Sequence, residues 1–217
     1  MDILADPSTW APVWLSLRVS LAATALAALL AIPAGLALAA RSFPGKRGLV
    51  TVLNTLLSIP TVVIGLLVYS LLSRSGPLAG LRLLFTPTAI VIGQVLLALP
   101  IITALTYAAV EGVDPRVRAT ALTLGAGRRQ ADLAVLAAAR IGILAAIVSG
   151  FGRVISEIGS VIMLGGNIEG HTRTITTAIV LENAKGNYGR AMVLGAILLA
   201  LALGVNIAVH RALRRKA

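Results

Sequence analysis

The sequence contains no cysteine, which excludes disulfides and thiolate metal sites and leaves the redox state of its compartment unreadable. It is also poor in charge: 12% of its 217 residues are Asp, Glu, Lys or Arg, roughly half the share found in a typical soluble domain. Acidic residues are the scarcer sign, 8 against 19 basic ones, and the formal net charge is +11. In a soluble protein that balance would suggest nucleic acid. Here aromatic residues make up only 4% and the basic residues flank apolar blocks, so the charge reads as topological. What the sequence does have is hydrophobic residues, 58% of the total, with a mean hydropathy of +0.94, and the chain is expected to be an integral membrane protein. Residues 1–6 are acidic and lack the positive region that opens a signal peptide, so the first apolar block is expected to be a retained span.

Crossing about 30 Å of hydrocarbon takes roughly 20 apolar residues. Five stretches qualify, residues 19–40, 49–72, 89–110, 141–164 and 191–209, which predicts an all-α protein of five transmembrane helices in a single domain. Trp10 and Trp14 suit a membrane interface, and Arg18 sits close enough to that end to snorkel outward. One set of connections holds Arg41, Lys46, Arg47, Arg116, Arg118, Arg128, Arg129, Arg140, Arg211, Arg214, Arg215 and Lys216; the opposite set holds Arg74, Arg82, Arg173, Lys185 and Arg190. This excess puts the first set and the C-terminus in the cytoplasm and the N-terminus outside. Pro33, Pro60 and Pro100 fall near the middle of three successive spans and predict kinks, which suit a moving pathway better than an inert anchor. Thr86-Pro87 reads as a helix cap followed by proline at the first helical position. Asn54 and Gln94 are expected to be buried amides that bond between helices.

Between the third and fourth apolar blocks lies a polar connection of residues 111–140. Residues 119–124 read as one or two helical turns that stop at Gly125-Ala126-Gly127, where glycine supplies positive φ at little cost, and a second helical run covers 128–139. A short helix, a glycine bend and a second helix resemble the Glu-Ala-Ala loop of permease subunits of ABC importers. Set on Gly125, the resemblance places Ala119 at the glutamate, Thr120 and Ala121 at the two alanines, Val135 at an isoleucine and Ala137-Ala138 at a Leu-Pro step. The glycine, one alanine and the spacing survive, while the glutamate and Leu-Pro do not. Read without the resemblance, the same stretch is a charged loop joining two membrane helices.

The fourth block carries small residues Ser149, Gly152, Ser156 and Gly159 or Ser160 at spacings of three and four, a stripe that another helix can approach closely. Arg153 and Glu157 are four apart and share a face. Charges at membrane depth are functional candidates, and a structural salt bridge is the alternative; a breakable bridge would satisfy both. Residues 165–172 nearly spell a phosphate-cradling loop, but His171 stands at the essential lysine and no strand precedes it, so ATP binding there is not expected. Residues 174–181 are too short to span and predict a half-buried helix at the outer mouth, ending near Gly186-Asn187.

The block from Ser156 to Glu182 resembles permeases of ABC importers for tungstate and molybdate, in its Glu-Ile-Gly turn at 157–159, its Gly-Gly-Asn-Ile step at 165–168, its Thr-Arg-Thr step at 172–174 and the helix leading to Gly186-Asn187-Tyr188. Leu17 to Thr24, through Ile32-Pro33, is similar to that family's opening helix, so the resemblance covers nearly the whole chain. Thr176, where the molybdate branch has proline, and the missing Leu-Pro at Ala137-Ala138 resemble the tungstate branch. The resemblance implies an ABC type I importer permease fold and a homodimer in the cell membrane. It implies two cytoplasmic ATP-binding subunits that hydrolyse ATP, and an external substrate-binding protein. The chain itself would have no catalytic residue, no metal and no bound cofactor. The loop at Ala119, Thr120, Ala121, Leu124, Gly125 and Ala126 would couple to the ATPase. Backbone amides at Gly165-Gly166 and hydroxyls of Thr172, Thr174 and Thr176 could hold a compact dianion without trapping it, with Asn167 in the same segment. Arg173 is either an attractor or a loop cation; Ile162, Met163 and Leu164 are candidates for an apolar gate or ordinary core.

Two other classes remain open. A secondary transporter driven by a proton or sodium gradient would use Arg153 and Glu157 as a relay, but no internal repeat is found and five spans is small for that design. A membrane anchor of an enzyme complex explains the spans but neither the central prolines nor the glycine-bent loop, and heme is not expected, since His210, at a span's end, is the nearest histidine to a span interior.

Overall fold

Three helices of this chain begin where a short polar side chain meets a proline. Asp6 accepts a hydrogen bond from the Ser8 N–H (2.9 Å), proline follows at the first turn, and α1 (Pro7–Ala40) runs 34 residues. Thr86 caps α4 (Pro87–Glu111) in the same way, as the Thr86-Pro87 pair predicts. The computed structural model describes residues 6–214, all helix and connecting turns, with no strand among the described residues. Arg215 and Lys216 lie outside the described residues, as do residues 1–5 and the side chains of His210 and Arg214.

The centre of the bundle is α1 laid along α4, with α7 (Arg140–Ile155) closing the third side. Ala27, Ala31, Ala98 and Ala146 are fully buried there beside Leu97, Ile102 and Val154. Small residues let backbones approach closely, which is how helices associate when lipid offers no hydrophobic contrast. Gly35 shows the closeness: a Cβ there would lie 2.8 Å from Thr106 Cβ. This packing carries α1 and α4 unbroken through Pro33 and Pro100.

Pro60 behaves differently. Where the sequence reads one span over 49–72, the structure has α2 (Lys46–Leu56) and α3 (Thr61–Leu72), bent by 96° at the break. The N–H groups of Leu57, Ser58 and Ile59 each reach back three residues, winding the helix down before Pro60 turns the chain extended. No residue of α2 is buried: Arg47, Thr51 and Asn54 share one face while Leu49, Val52 and Leu56 share the other. Asn54 is therefore exposed, contrary to its expected buried role, whereas Gln94 does bond between helices, Nε2 donating to the Val154 carbonyl at 3.1 Å.

The block 141–164 is likewise two helices. α7 stops at Ile155 and α8 (Gly159–Gly165) resumes after Ser156-Glu157-Ile158. α9 (Ile175–Ala184) is the expected short helix, and α10 (Tyr188–Arg214) packs on α9 and α7 with most of its surface bare. Three helices are long and apolar enough to cross a membrane, or up to five if each of two bent pairs counts as one span.

Candidate functional site

The polar connection folds into a helical hairpin. Asp114 accepts from the Arg116 N–H (2.8 Å) and, with Pro115, starts α5 (Pro115–Thr123). At its other end the Ala126 N–H reaches the Ala121 carbonyl and the Gly125 N–H reaches Leu122, both at 3.0 Å, the paired bonds of a Schellman stop. Gly125 has φ +88°, and nothing lies near the position of an added Cβ, so the backbone rather than space demands glycine. α6 (Arg128–Ala138) follows, its start tied by Gln130 Oε1 accepting from the Gly127 N–H (2.8 Å). Arg118 braces the two arms, Nε and Nη2 both donating to Asp132 Oδ1 at 3.1 and 3.0 Å. The root is apolar, Val117 packing against the cluster of Val110, Val135, Ala139 and Ile143. The tip is not covered at all: no α5 residue is buried and Leu124 is 82% exposed.

The second set of features lies around the break between α7 and α8. Glu157 is only 3% exposed. Its Oε2 accepts from Arg153 Nη1 (2.8 Å) and its Oε1 from the Ser160 N–H (3.1 Å), while its carbonyl accepts from Thr176 Oγ1 (2.8 Å). The carboxylate thus satisfies both a guanidinium and the first turn of α8, and the chain cannot continue as one helix through it. Arg153 stays partly open, its side chain 38% exposed. Ala145 and Ser149 on α7 and Ser156 at its end are exposed, so this part of the small-residue stripe has no covering helix within its own chain, whereas Gly159 and Ser160 are packed against α3.

A model of the binding-protein-dependent transport system inner membrane component matches residues 31–217. The chain belongs to that family. A probable anion ABC transporter permease protein of Haloferax volcanii is 46% identical over 88% of this chain and 84% of its own length. The tungstate uptake system permease protein TupB of Peptoclostridium acidaminophilum is 40% identical over 94% and 90%, and the molybdenum transport system permease protein ModB of Escherichia coli is 34% identical over 87% and 86%. The likeness to ABC importer permeases read from the loop at Gly125 and the block 156–182 is borne out, and the permease is a membrane protein.

In the permease, Ala119, Thr120, Leu124 and Gly125 are exposed on the hairpin, and Ala121 and Ala126 are half-buried. Of the residues read as a dianion cradle, most are already engaged. Thr172 Oγ1 donates to the Gly165 carbonyl and accepts from the Ile168 N–H; Thr176 serves Glu157; Thr174 caps α9 and bonds to Thr176 and Thr177. Gly165 is inside α8, and the Gly166 N–H is taken by the Ile162 carbonyl. These hydroxyls and amides fasten the segment together, because a buried polar group left unpaired is costlier than one turned inward on its neighbours. Leu164 is fully buried against Val68, Leu72 and Ala89, and Gly93 leaves room for its tip; it is core. Ile162 is exposed, Met163 half-buried and Asn167 half-buried with φ +51°. Arg173 Nη1 pairs with Glu169 at 3.1 Å.

Sequence reading missed Ser16, whose Oγ accepts the Ile175 N–H at 2.7 Å and ties α1 to α9. No local signal marks it, since the partner is 159 residues away. Among the described residues no group of three or more His, Cys, Asp or Glu could hold a metal ion.

Proposed function

We propose that this chain is the membrane-spanning subunit of an ATP-driven importer that carries tungstate from an external binding protein into the cytoplasm. It works as a homodimer on two separate ATP-binding subunits. The observation that carries this reading is the glycine-bent hairpin whose 82% exposed Leu124 has nothing of its own chain to rest on. A surface leucine held on a braced, apolar-rooted hairpin is a lever end: it fits a groove of another protein and transmits movement to α4 and α7 through Val110, Val135 and Ile143. The excess of basic residues on the hairpin side supports placing it in the cytoplasm.

The chemistry of the α7 face supports an oxyanion. Ala145, Ser149, Arg153 and Ser156 make a small, weakly polar wall with one cation, about 20 Å along the helix from Arg140. Two copies facing each other would enclose a passage in which a dianion meets Arg153 while Glu157 keeps that cation from holding it too firmly. Ile162, exposed on α8, is the gate residue in this arrangement, and Arg173 with Thr172, Thr174 and Asn167 shapes the mouth. Tungstate is preferred to molybdate because a tungstate permease is the more similar of the two relatives, 40% against 34% identical.

Metal uptake measured by mass spectrometry in cells with and without the gene, challenged with tungstate, molybdate and sulfate, tests the cargo. Loss of tungstate accumulation alone is expected. Uptake that persists without any ATP-binding subunit would replace this reading with a gradient-driven transporter relaying through Arg153 and Glu157.

A further inference from the structure

The end of the bundle opposite the hairpin carries two crevices of contrasting electrostatics. One, of about 110 Å³, has Glu169, Arg173, Glu182, Lys185 and Arg190 on its border. Its charges are matched: Arg190 with Asp6 (3.3 Å), Lys185 with Glu182 (3.3 Å) and Arg173 with Glu169 (3.1 Å). The other, of about 250 Å³, lies between α1 and the 170–173 segment and is bordered by Trp14, Leu15, Arg18, His171 and Arg173, with no carboxylate among its lining residues. Arg18 has no acidic partner among the described residues, and Arg173 Nε is buried without an acceptor, its one ion pair being made by Nη1.

Position within the membrane gives this second crevice its meaning. Arg18 and Arg41 bracket the uncharged stretch 19–40 of α1. At 1.5 Å per residue they stand about 34 Å apart, close to the thickness of the hydrocarbon core. Arg18 therefore sits at the membrane edge. Trp10, Trp14 and Arg18 recur every four residues on one exposed face of α1, and that face continues into exposed Leu21 and Leu29. From the water inward, interfacial tryptophan, two guanidiniums without a full complement of acceptors and an apolar helix face match the headgroup, phosphodiester and acyl chain of an anionic phospholipid.

We propose that the crevice between α1 and residues 170–173 binds a phosphate-type oxyanion, the headgroup phosphodiester of an anionic phospholipid lying along α1. Arg18 and Arg173 grip the phosphate oxygens, His171 adds a donor from the loop, and Trp14, one turn farther from the hydrocarbon, rests on the headgroup beyond the phosphate. Because Arg173 leads directly into the Thr174 cap of α9, lipid bound here holds α1 against α9 at the mouth, alongside the Ser16 bond to Ile175.

The test is native mass spectrometry of the purified, delipidated full-length permease, given phosphatidylglycerol, phosphatidylcholine or inorganic phosphate. Phosphatidylglycerol is expected to be retained over phosphatidylcholine, and millimolar inorganic phosphate is expected not to displace it. Arg18→Gln, at an exposed position that spares folding, is expected to weaken retention about five-fold, the effect of one interfacial cation. Glu169→Gln, which removes the competing carboxylate from Arg173, is expected to raise it. Displacement by inorganic phosphate would overturn the lipid as occupant in favour of a soluble oxyanion, and phosphatidylglycerol retention that ignores both substitutions would overturn the site itself.

Discussion

The hairpin of α5 and α6 and the segment of α8 and α9 are built on opposite plans. In the hairpin, α5 buries none of its residues, one cross-brace joins the arms at Arg118 and Asp132, and the tip leucine stands in the open. In the second segment, Val161, Leu164, Thr172, Ile175 and Thr177 are buried and hydroxyls close on carbonyls at nearly every turn. The first is shaped by local rules, a proline start and a glycine stop, and so keeps its form with little support. The second is shaped by the rest of the bundle. The contrast teaches that a hairpin shaped by its own caps can stand exposed and autonomous in shape, while a segment closed by distant partners is fixed by tertiary packing.

Substitutions in the two regions should separate stability from partner binding. Leu164→Ala removes a fully buried side chain and is expected to cost about 2–5 kcal/mol, read as a lower unfolding midpoint in detergent, with binding to the ATP-binding subunit kept by the folded fraction. Ser16→Ala leaves the buried Ile175 N–H without its acceptor and should cost about 1–3 kcal/mol, with faster hydrogen exchange at that amide. Gly125→Val forces a branched residue into φ +88°, at about 1–2 kcal/mol of strain; its larger consequence is loss of the ATP-binding subunit from pull-downs and of tungstate uptake. A complex that survives Gly125→Glu would break the comparison at its functional end.

Acid should act on the second segment first. The Asn187 amide, then Lys185, hold the Glu182 carboxyl below the usual glutamate range. Its folded value is thus lower than its unfolded one, so its contribution is present above about pH 4.3 and is lost as pH falls through the lowered folded value. Glu182→Gln should flatten the acid limb of a stability profile and leave the neutral limb in place. Leu124→Asp is the smallest change in stability, within about 0.5 kcal/mol, yet it should weaken ATP-binding-subunit capture as severely as Gly125→Val. Equal binding by Leu124→Asp and the unaltered chain would remove the tip from the interface.

What was legible in the residues follows the same division. The cap at Thr86-Pro87, the stop at Gly125 and the start of α9 at Thr174 are local events, decided by a side chain and a few neighbouring amides. Arg153 and Glu157 were legible as a pair because their spacing is helical, and the resemblance marked a turn at 157–159, but the apolar run 141–164 still read as one span because Gly150 and Gly152 sit inside the helix just as Gly159 sits at its break. Pro60 and Pro33 look alike in sequence; only the latter lies in a helix clamped along a partner by buried alanines, and only the former interrupts its helix. The threonines of 172–176 were read as free donors because their acceptors, the Gly165 and Glu157 carbonyls, lie 7 and 19 residues away.

By itself the sequence determined that this chain lives in a membrane, that helices start at Thr86-Pro87 and Thr174, and that a glycine-bent polar hairpin interrupts its apolar blocks. Composition, caps and φ preferences act within a few residues and need no knowledge of the whole. The tertiary structure alone decided which prolines break helices, which hydroxyls remain available, which leucine is core and which is knob. Each of those depends on what a distant segment presents across the gap, and a buried polar atom takes whichever partner reaches it.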